Sequence, residues 1–354
     1  MLRQRDYSLL GKDGERAVEM GLAAADWYLS EVPRSELKSL MRRSDRIAIR
    51  DTLLWLGGLI LFAGIGIALW PSIWSAPFWL AYGVLYGSAG DSRWHEAGHG
   101  TAFSTQWMNE VVYQLGSFMM MRNPTAWRWS HIRHHTDTII VGRDPEIAVM
   151  RPPDAIRICL NLLAIPNAVQ SFTRMGYHVT GRLHPEEATY VPEQEWNKVI
   201  LESRIWCVIY ALTIAATLWW STLLPLMVIG LPSIYGAWHH ILTGVLQHAA
   251  LAEDVLDHRL NTRTFYTNPI TRFVYWNMNY HVEHHMFPMV PYHALPRLHA
   301  LIRDDLPEPD KSMWHAYRQV LPVLIRQLRG EDVFLVRELP DSAQPYRAEL
   351  HNMI

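Results

Sequence analysis

The sequence predicts an all-α integral membrane protein: four transmembrane helices in two hairpins, with a helical cytoplasmic cap holding a histidine-rich site for two metals. Three observations predict it. No Asp, Glu, Lys or Arg occurs from Thr52 to Gly90, and none from Ile205 to Ala252. Arginines gather at the ends of both tracts and are absent from their middles. The histidines, 18 among 354 residues, cluster at helical spacings.

A helix crossing a bilayer needs about 20 apolar residues. Each tract therefore holds two spans, 52–70 and 74–94, then 205–222 and 226–248. Pro71 and Pro225 fall near the tract midpoints, where a hairpin must turn. The chain is 49% hydrophobic and 19% charged. A soluble protein with buried core helices is the competing reading, but such helices are rarely charge-free for so long.

Orientation follows from the arginines. Arg42, Arg43, Arg46 and Arg50 precede the first tract, and Arg93 follows it. Arg204 precedes the second tract, and Arg259 and Arg263 follow it. The turns around Pro71 and Trp220–Pro225 carry no charge. Both hairpins thus dip in from the cytoplasm and return to it. Both termini, residues 91–204 and residues 253–354 fall on the cytoplasmic side. The first 50 residues are polar and predict no cleavable signal. A net charge of -2 predicts no nucleic-acid partner. Cys159 and Cys207 lie in apolar surroundings without metal-binding spacing, and no disulfide is expected.

Three units result. Residues 1–50 form a cytoplasmic segment in which "SELKSLMRRSDR" reads as an interfacial helix. Residues 51–305 form the membrane domain. Residues 306–354 form a helix, "MWHAYRQVLPVLIRQLR", and a polar tail. Met108–Met121 and Ala155–Phe172 read as interfacial helices or parts of the cap, and 176–196 as a loop.

Residues 95–99 read "HEAGH", which matches the H-E-x-x-H pattern of zinc metalloproteases. Two further clusters follow, "HIRHH" with His131, His134 and His135, and "HVEHH" with His281, His284 and His285. Positions i, i+3 and i+4 share one helix face, so each cluster aims its imidazoles at one place. The second arm of the first hairpin ends at His95, and that of the second hairpin ends at His248. Four chain segments can therefore bring nine imidazoles to one membrane face: His95, His99, His131, His134, His135, His248, His281, His284 and His285.

A catalytic zinc takes three protein ligands and one open position. Nine imidazoles suit two metals of higher coordination, and an all-nitrogen shell beside a membrane points to redox metals and oxygen activation. Glu96 is then a partner that orients a ligand imidazole, not a general base. An intramembrane zinc protease built on HEAGH remains the distant alternative. His178, His184, His258, His293 and His299 read as ordinary surface or core residues. His240 sits about 80° round the helix from His248 at 100° per residue, as an outer partner of the site and not a ligand.

"HEAGH", "HIRHH" and "HVEHH" resemble the three histidine boxes of integral-membrane fatty acid desaturases and related hydroxylases. "NMNYHVEHHMFPMVPYHALPRLH" (277–299) and "GRDPEI" (142–147) are similar to the same family, and the resemblance covers about residues 40–305. It implies four spans in two hairpins, a cytoplasmic cap and a non-haem di-iron centre using O2. All eight box histidines are implied as iron ligands. His248 matches an additional histidine on the fourth span. Animal acyl-CoA members carry an Asn one turn before that histidine, where this chain has Gly244, and Gln247 or His240 are candidates to replace it. The first box is closer in shape to bacterial members, which implies a bacterial inner membrane. Asp144, Asn277 and Glu283, which lie in the family-like stretches, join Glu96, His240 and Gln247 as expected partners around the ligands.

The resemblance implies attack on an unactivated C–H of a fatty acyl chain, with desaturation as the leading outcome. Hydroxylation, or oxidative decarboxylation of a free fatty acid to a terminal alkene, needs the same ligands. Trp107, Met119, Trp127 and Trp129, with Met120, are candidate walls of an acyl tunnel. Arg133 and Arg143 are candidates for a head group. The chain has no haem segment, no cysteine cluster and no GxGxxG loop. Electrons must then come from a separate ferredoxin-like donor and its reductase.

Overall fold

The structure, a computed structural model, describes residues 5–346. The ends of the predicted N-terminal segment (1–4) and of the predicted tail (347–354) lie outside the described residues. Among the described residues the chain is helical, with no strand beyond two isolated bridges.

The N-terminal segment carries α1 (Lys12–Glu19) and α2 (Arg34–Leu40). α3 (Asp45–Ala68) starts where the Ser44 side chain accepts from the Ile47 amide, the standard remedy for an unpaired helix N-terminus. The chain returns through α4 (Ala76–Gly83), a π-helical turn (Val84–Ser88) and α5 (Ala89–Gly98). α6 (Gln106–Met119) and α7 (Pro124–Thr136) follow. α8 (Ala155–Asn161) and α9 (Ile165–Val179) form a bent pair at 83°. α10 (Trp196–Trp219) leads into α11 (Leu224–Val228), α12 (Pro232–Tyr235) and α13 (Trp238–His248). The remainder comprises α14 (His258–Asn261), α15 (Pro269–Val274), α16 (His281–Met286), α17 (Leu295–Ile302) and α18 (Met313–Leu328).

Among the described residues two helical stretches are long and apolar enough to cross a membrane, Arg34–Ala68 and Glu193–Trp219, and the bent pair α8–α9 makes a third if it is taken as one span. Arg34–Ala68 and Glu193–Trp219 cover most of the first and third expected spans, ending two and three residues short of them. The second and fourth, expected as continuous helices over 74–94 and 226–248, are instead broken into short pieces. Pro232 and Gly236 interrupt the fourth, and a π turn interrupts the second. Proline lacks the amide that an unbroken helix needs, and π turns mark such irregular points.

The breaks allow the two return arms to touch. A Cβ on Gly236 would lie 1.8 Å from the Gly83 carbonyl oxygen, and one on Gly87 would lie 2.6 Å from that of Pro232. Only glycine permits this approach. Ser88 Oγ then donates to the Gly236 carbonyl at 2.6 Å and accepts from the His240 amide at 3.0 Å. Beyond this crossing one arm continues through α5 to His95 and the other through α13 to His248.

Three arginines used to orient the chain are not surface charges. Arg93 is fully buried between the rings of Trp55, Phe273 and Trp276, 5.2, 5.1 and 4.8 Å from their centroids. It donates to the carbonyls of Val274 and Phe273. Arg259, buried, pairs with buried Asp257 and half-buried Asp305, and buried Arg263 pairs with buried Asp310. Buried cations survive where carboxylates, carbonyls or aromatic faces replace water.

The N-terminal segment packs beside the histidine region. Trp27 Nε1 donates to the Thr136 carbonyl at 3.0 Å. Tyr28 and Ser30 hydroxyls donate to Asp305.

Candidate metal centre

Each box histidine is set by its local helix. Asn123 caps α7 by accepting from the Ala126 amide, and Pro124 opens its first turn. That fixes the phase of His131, His134 and His135. α16 begins at His281, so His281, His284 and His285 share its inner face. His95 lies in the last turn of α5, His99 caps its end, and His248 is the last residue of α13.

All nine side chains meet in two adjoining groups. His95, His99, His131, His135 and His284 form one, and His134, His248, His281 and His285 the other. Within each group the ligand atoms lie within 4.8 Å of one another. The Nε2 of His131 is 3.0 Å from that of His99, and 3.2 Å from those of His95 and His135. His95 and His284 approach to 2.7 Å through the same atoms, and His281 and His285 to 3.1 Å.

The outer nitrogens explain why the inner ones fit a metal. His134 Nδ1 faces Asp144 Oδ2 at 2.9 Å, and His131 Nδ1 faces Glu146 Oε2 at 3.2 Å. His248 Nδ1 donates to the Asn261 carbonyl at 2.8 Å. Thr138 Oγ1 donates to the His134 carbonyl, which leaves it to accept from His285 Nδ1 at 3.3 Å. A neutral imidazole that donates from Nδ1 presents a lone pair at Nε2. Lone pairs facing one another at about 3 Å repel unless a cation lies between them. His248 Nε2 is buried and has no partner within the protein. The donor set therefore fits two metal ions, one per group.

Burial first, and then neighbouring imidazoles, push His99, His135, His281, His284 and His285 well below the ordinary histidine range. They are held neutral, as metal ligation requires. At His134 burial acts in the same direction, but the Asp144 carboxylate outweighs it and the net shift is upward.

A family model described as fatty acid desaturase matches residues 68–317. The chain belongs to the fatty acid desaturase family. A probable fatty acid desaturase of Sorghum bicolor is 26% identical over 252 residues, covering 64% of this chain and 62% of its own. An endoplasmic-reticulum omega-6 fatty acid desaturase (isozyme 1) of Glycine max is 26% identical over 293 residues, 72% of this chain and 75% of its own. A chloroplastic sn-2 acyl-lipid omega-3 desaturase (ferredoxin) of Arabidopsis thaliana is 23% identical over 268 residues, 69% of this chain and 58% of its own. The chain thus spans less than two thirds of the sorghum and Arabidopsis relatives.

Set on this desaturase-family centre, the other expected site residues divide. Asp144 holds a box imidazole, and Gln247 reaches His281 Nδ1 at 3.4 Å and the Tyr275 hydroxyl. A Cβ at Gly244 would meet nothing nearer than Gln247 Oε1 at 4.0 Å, so the space beside that glycine is open. Glu96 touches no imidazole: its Oε1 accepts from Thr101 Oγ1 at 2.7 Å and the Tyr292 amide at 3.1 Å. Glu283 binds His299 and Thr264 instead of a box histidine. Asn277 joins Arg272 to the Tyr292 carbonyl, and His240 packs against Ser88 away from the clusters.

Among the expected walls, Trp127 lies edge-on to Trp94, which borders His131, and Met119 is buried beside Gly90. Trp107 is 63% exposed, and Trp129 packs on a separate cluster with Tyr190 and Val199. Arg133 and Arg143 both pair with Asp137.

Sequence reasoning did not assign Glu146, Thr138 or Asn261 as partners of the imidazoles. Glu146 stands in the quoted "GRDPEI", but its contact with His131 depends on the turn after α7. His258, read as an ordinary residue, stacks on Trp27 at 4.3 Å between centroids and lies 5.0 Å from His285.

Proposed function

We propose that the chain is a membrane-bound, non-haem di-iron oxidase that uses O2 to attack an unactivated C–H of a fatty acyl chain, in the first place as a desaturase. The observation that carries this reading is the meeting of nine imidazoles in two groups of five and four within a chain of the desaturase family. Iron bound there supplies the activation of O2. The protein's residues do the rest. Asp144, Glu146, Thr138 and the Asn261 carbonyl orient the imidazoles and fix their tautomers. The rings of Trp94 and Trp127 exclude water on one side of the first group.

The same reading assigns iron, and not zinc, to both groups and makes all nine histidines ligands. Five imidazoles exceed the three of a catalytic zinc site, and Glu96 is engaged by Thr101 and Tyr292, which counts against a protease. It takes 51–305 as the catalytic membrane domain, with 1–50 and 306–354 as flanking segments. It takes α4–α5 and α11–α13 as broken second and fourth spans. The arginines before the spans support a cytoplasmic face for the centre and cap. The bacterial-type shape of the first box and the plant relatives point to different host membranes, and fractionation of the source cells decides between them. Electrons come from an external donor, a ferredoxin-like protein with its reductase; one relative is named for ferredoxin and another for cytochrome b5.

The test is product analysis by mass spectrometry in cells fed fatty acids of several lengths, with wild type and His284→Ala. Loss of two hydrogens supports the desaturase. A gain of oxygen or a loss of CO2 replaces it with the hydroxylase or the decarboxylase. No His284-dependent product of any kind overturns the oxidase reading.

A further inference from the structure

The start of α7, the helix that carries His131, His134 and His135, is bonded to α10. Asn123 Oδ1 accepts from the Ala126 amide at 3.0 Å, so its Nδ2 points the other way. There it donates to the Val199 carbonyl at 2.9 Å and to Ser203 Oγ at 3.1 Å. Glu202, beside Ser203, accepts from the Thr125 amide at 3.2 Å and from the Thr125 hydroxyl at 2.8 Å.

The bonds continue beyond Ser203. His178, near the end of α9, brings Nδ1 to 2.8 Å from Ser203 Oγ and Nε2 to 2.7 Å from Glu187 Oε2. Glu187 opens a short turn, Glu187–Thr189. Asn123, His178, Glu187 and Ser203 are all buried. A carboxylate only accepts, so His178 donates from Nε2 and accepts at Nδ1. Nδ1 then takes the Ser203 proton, and the Ser203 oxygen accepts from Asn123. That order leaves Asn123 Oδ1 facing the amides of α7. The bonds run in one direction, from a carboxylate to the positive end of a helix.

Burial alone does not require such a chain. A hydroxyl on α10 can be satisfied within the helix, as Thr213 is by the Ile209 carbonyl at 2.8 Å. A buried carboxylate–imidazole pair adds little stability over apolar packing. What the chain adds is direction at the Asn123 cap. α7 supplies two of the five imidazoles of the first histidine group, His131 and His135, and one of the four of the second, His134. A turn of its axis moves all three.

We propose that His178 is a positioning residue for the metal centre. Through Ser203 it passes the polarity set by Glu187 to the Asn123 cap, and so holds α7 at the rotation where its imidazoles face the two groups. This rests on the di-metal reading above and adds to it a residue that touches no ligand.

The full-length protein is grown on 57Fe and purified in lipid nanodiscs. Each variant is challenged with EDTA at a fixed interval below its own melting temperature, and its Mössbauer spectrum is recorded. His178→Phe and Ser203→Ala break the chain. Val199→Ala loosens the same face of α10 but keeps the carbonyl that Asn123 uses, and so shows what loss of packing does by itself. His178→Phe and Ser203→Ala should lose iron several-fold faster than Val199→Ala. They should also change one quadrupole doublet more than the other, because α7 serves the two groups unequally. Ser203→Thr keeps the hydroxyl and should restore both readouts. Ser203→Ala carries the test if His178→Phe fails to fold. Retention and spectra no different from those of Val199→Ala overturn the positioning role and leave the metal centre standing. A wild type that holds no iron overturns both.

Discussion

His134 Nδ1 and Asp144 Oδ2 lie 2.9 Å apart, both buried, and the same carboxylate oxygen accepts from the Ile139 amide at 2.8 Å. One carboxylate therefore fixes both a box imidazole and the turn that follows its helix. Its other oxygen accepts from the Glu146 amide at 2.8 Å, which brings Glu146 to His131. A single residue thus sets the outer contacts of both histidine groups.

Asp144→Asn should weaken metal retention by about 10- to 100-fold, the usual effect of losing a carboxylate behind a metal-bound histidine. Competition against a chelator of known affinity measures it. Retention equal to the wild type would show that Asp144 serves the turn alone.

Glu96→Gln separates the oxidase from the protease. The Glu96 carboxyl is buried, and its Oε1 accepts from Thr101 and Tyr292. The neutral amide keeps one acceptor at the same place. The variant should bind its full complement of metal and keep product formation, with a stability loss of about 1 kcal/mol. Abolished activity with metal intact would restore Glu96 as a general base.

Gly236→Val should collapse the crossing of the two arms that lead into α5 and α13. The added Cβ meets the Gly83 carbonyl carbon at 2.1 Å and its oxygen at 1.8 Å, and backbone atoms have no rotamer to turn away. Overpacking of this kind costs about 1–3 kcal/mol or more. A lowered melting temperature together with lost metal is expected. Lost stability with full metal content would show that the crossing does not position His95 and His248.

Asp332 links the two ends of the chain through Arg5 at 2.8 Å and Arg151 at 3.2 Å. Burial raises its carboxyl, but the hydrogen bonds from Arg5 and Arg151 outweigh this and hold it below the usual 3.8. A depressed folded value stabilises the protein above the unfolded value, and that contribution is lost as pH falls through the folded one. Because Asp332 is 36% exposed, solvent screening limits the contribution to about 0.2–1 kcal/mol. Asp332→Asn should therefore lower the melting temperature slightly at pH 7, and the difference should shrink below about pH 4. A difference that persists undiminished at low pH would assign the effect to packing.

The histidines were legible because their spacing alone fixes a helix face, whatever the tertiary structure does. His248 needed only the argument that a hairpin returns to its starting side. The long helices of the first and third spans were legible because nothing in them interrupts a helix. The broken arms carried visible signals in Pro232, Gly236, Gly83 and Gly87, but a hydropathy count has no term for a close approach between two helices. Arg93 read as an interfacial charge because its aromatic cage comes from residues far away in sequence. Glu283 and Asn277 sat beside ligands in the sequence and faced elsewhere in space, since neighbours on a short helix point in different directions. Glu146 and Asn261 acquire their roles only through turns whose course is set by distant contacts.

The central claim is that the two histidine groups hold a pair of oxidisable metals. Elemental analysis of the purified full-length protein, with Mössbauer spectroscopy after growth on 57Fe, tests it most directly. Two irons per chain in a coupled pair, falling in His284→Ala and His248→Ala, is the predicted result. One zinc per chain, or iron content indifferent to both substitutions, would contradict it.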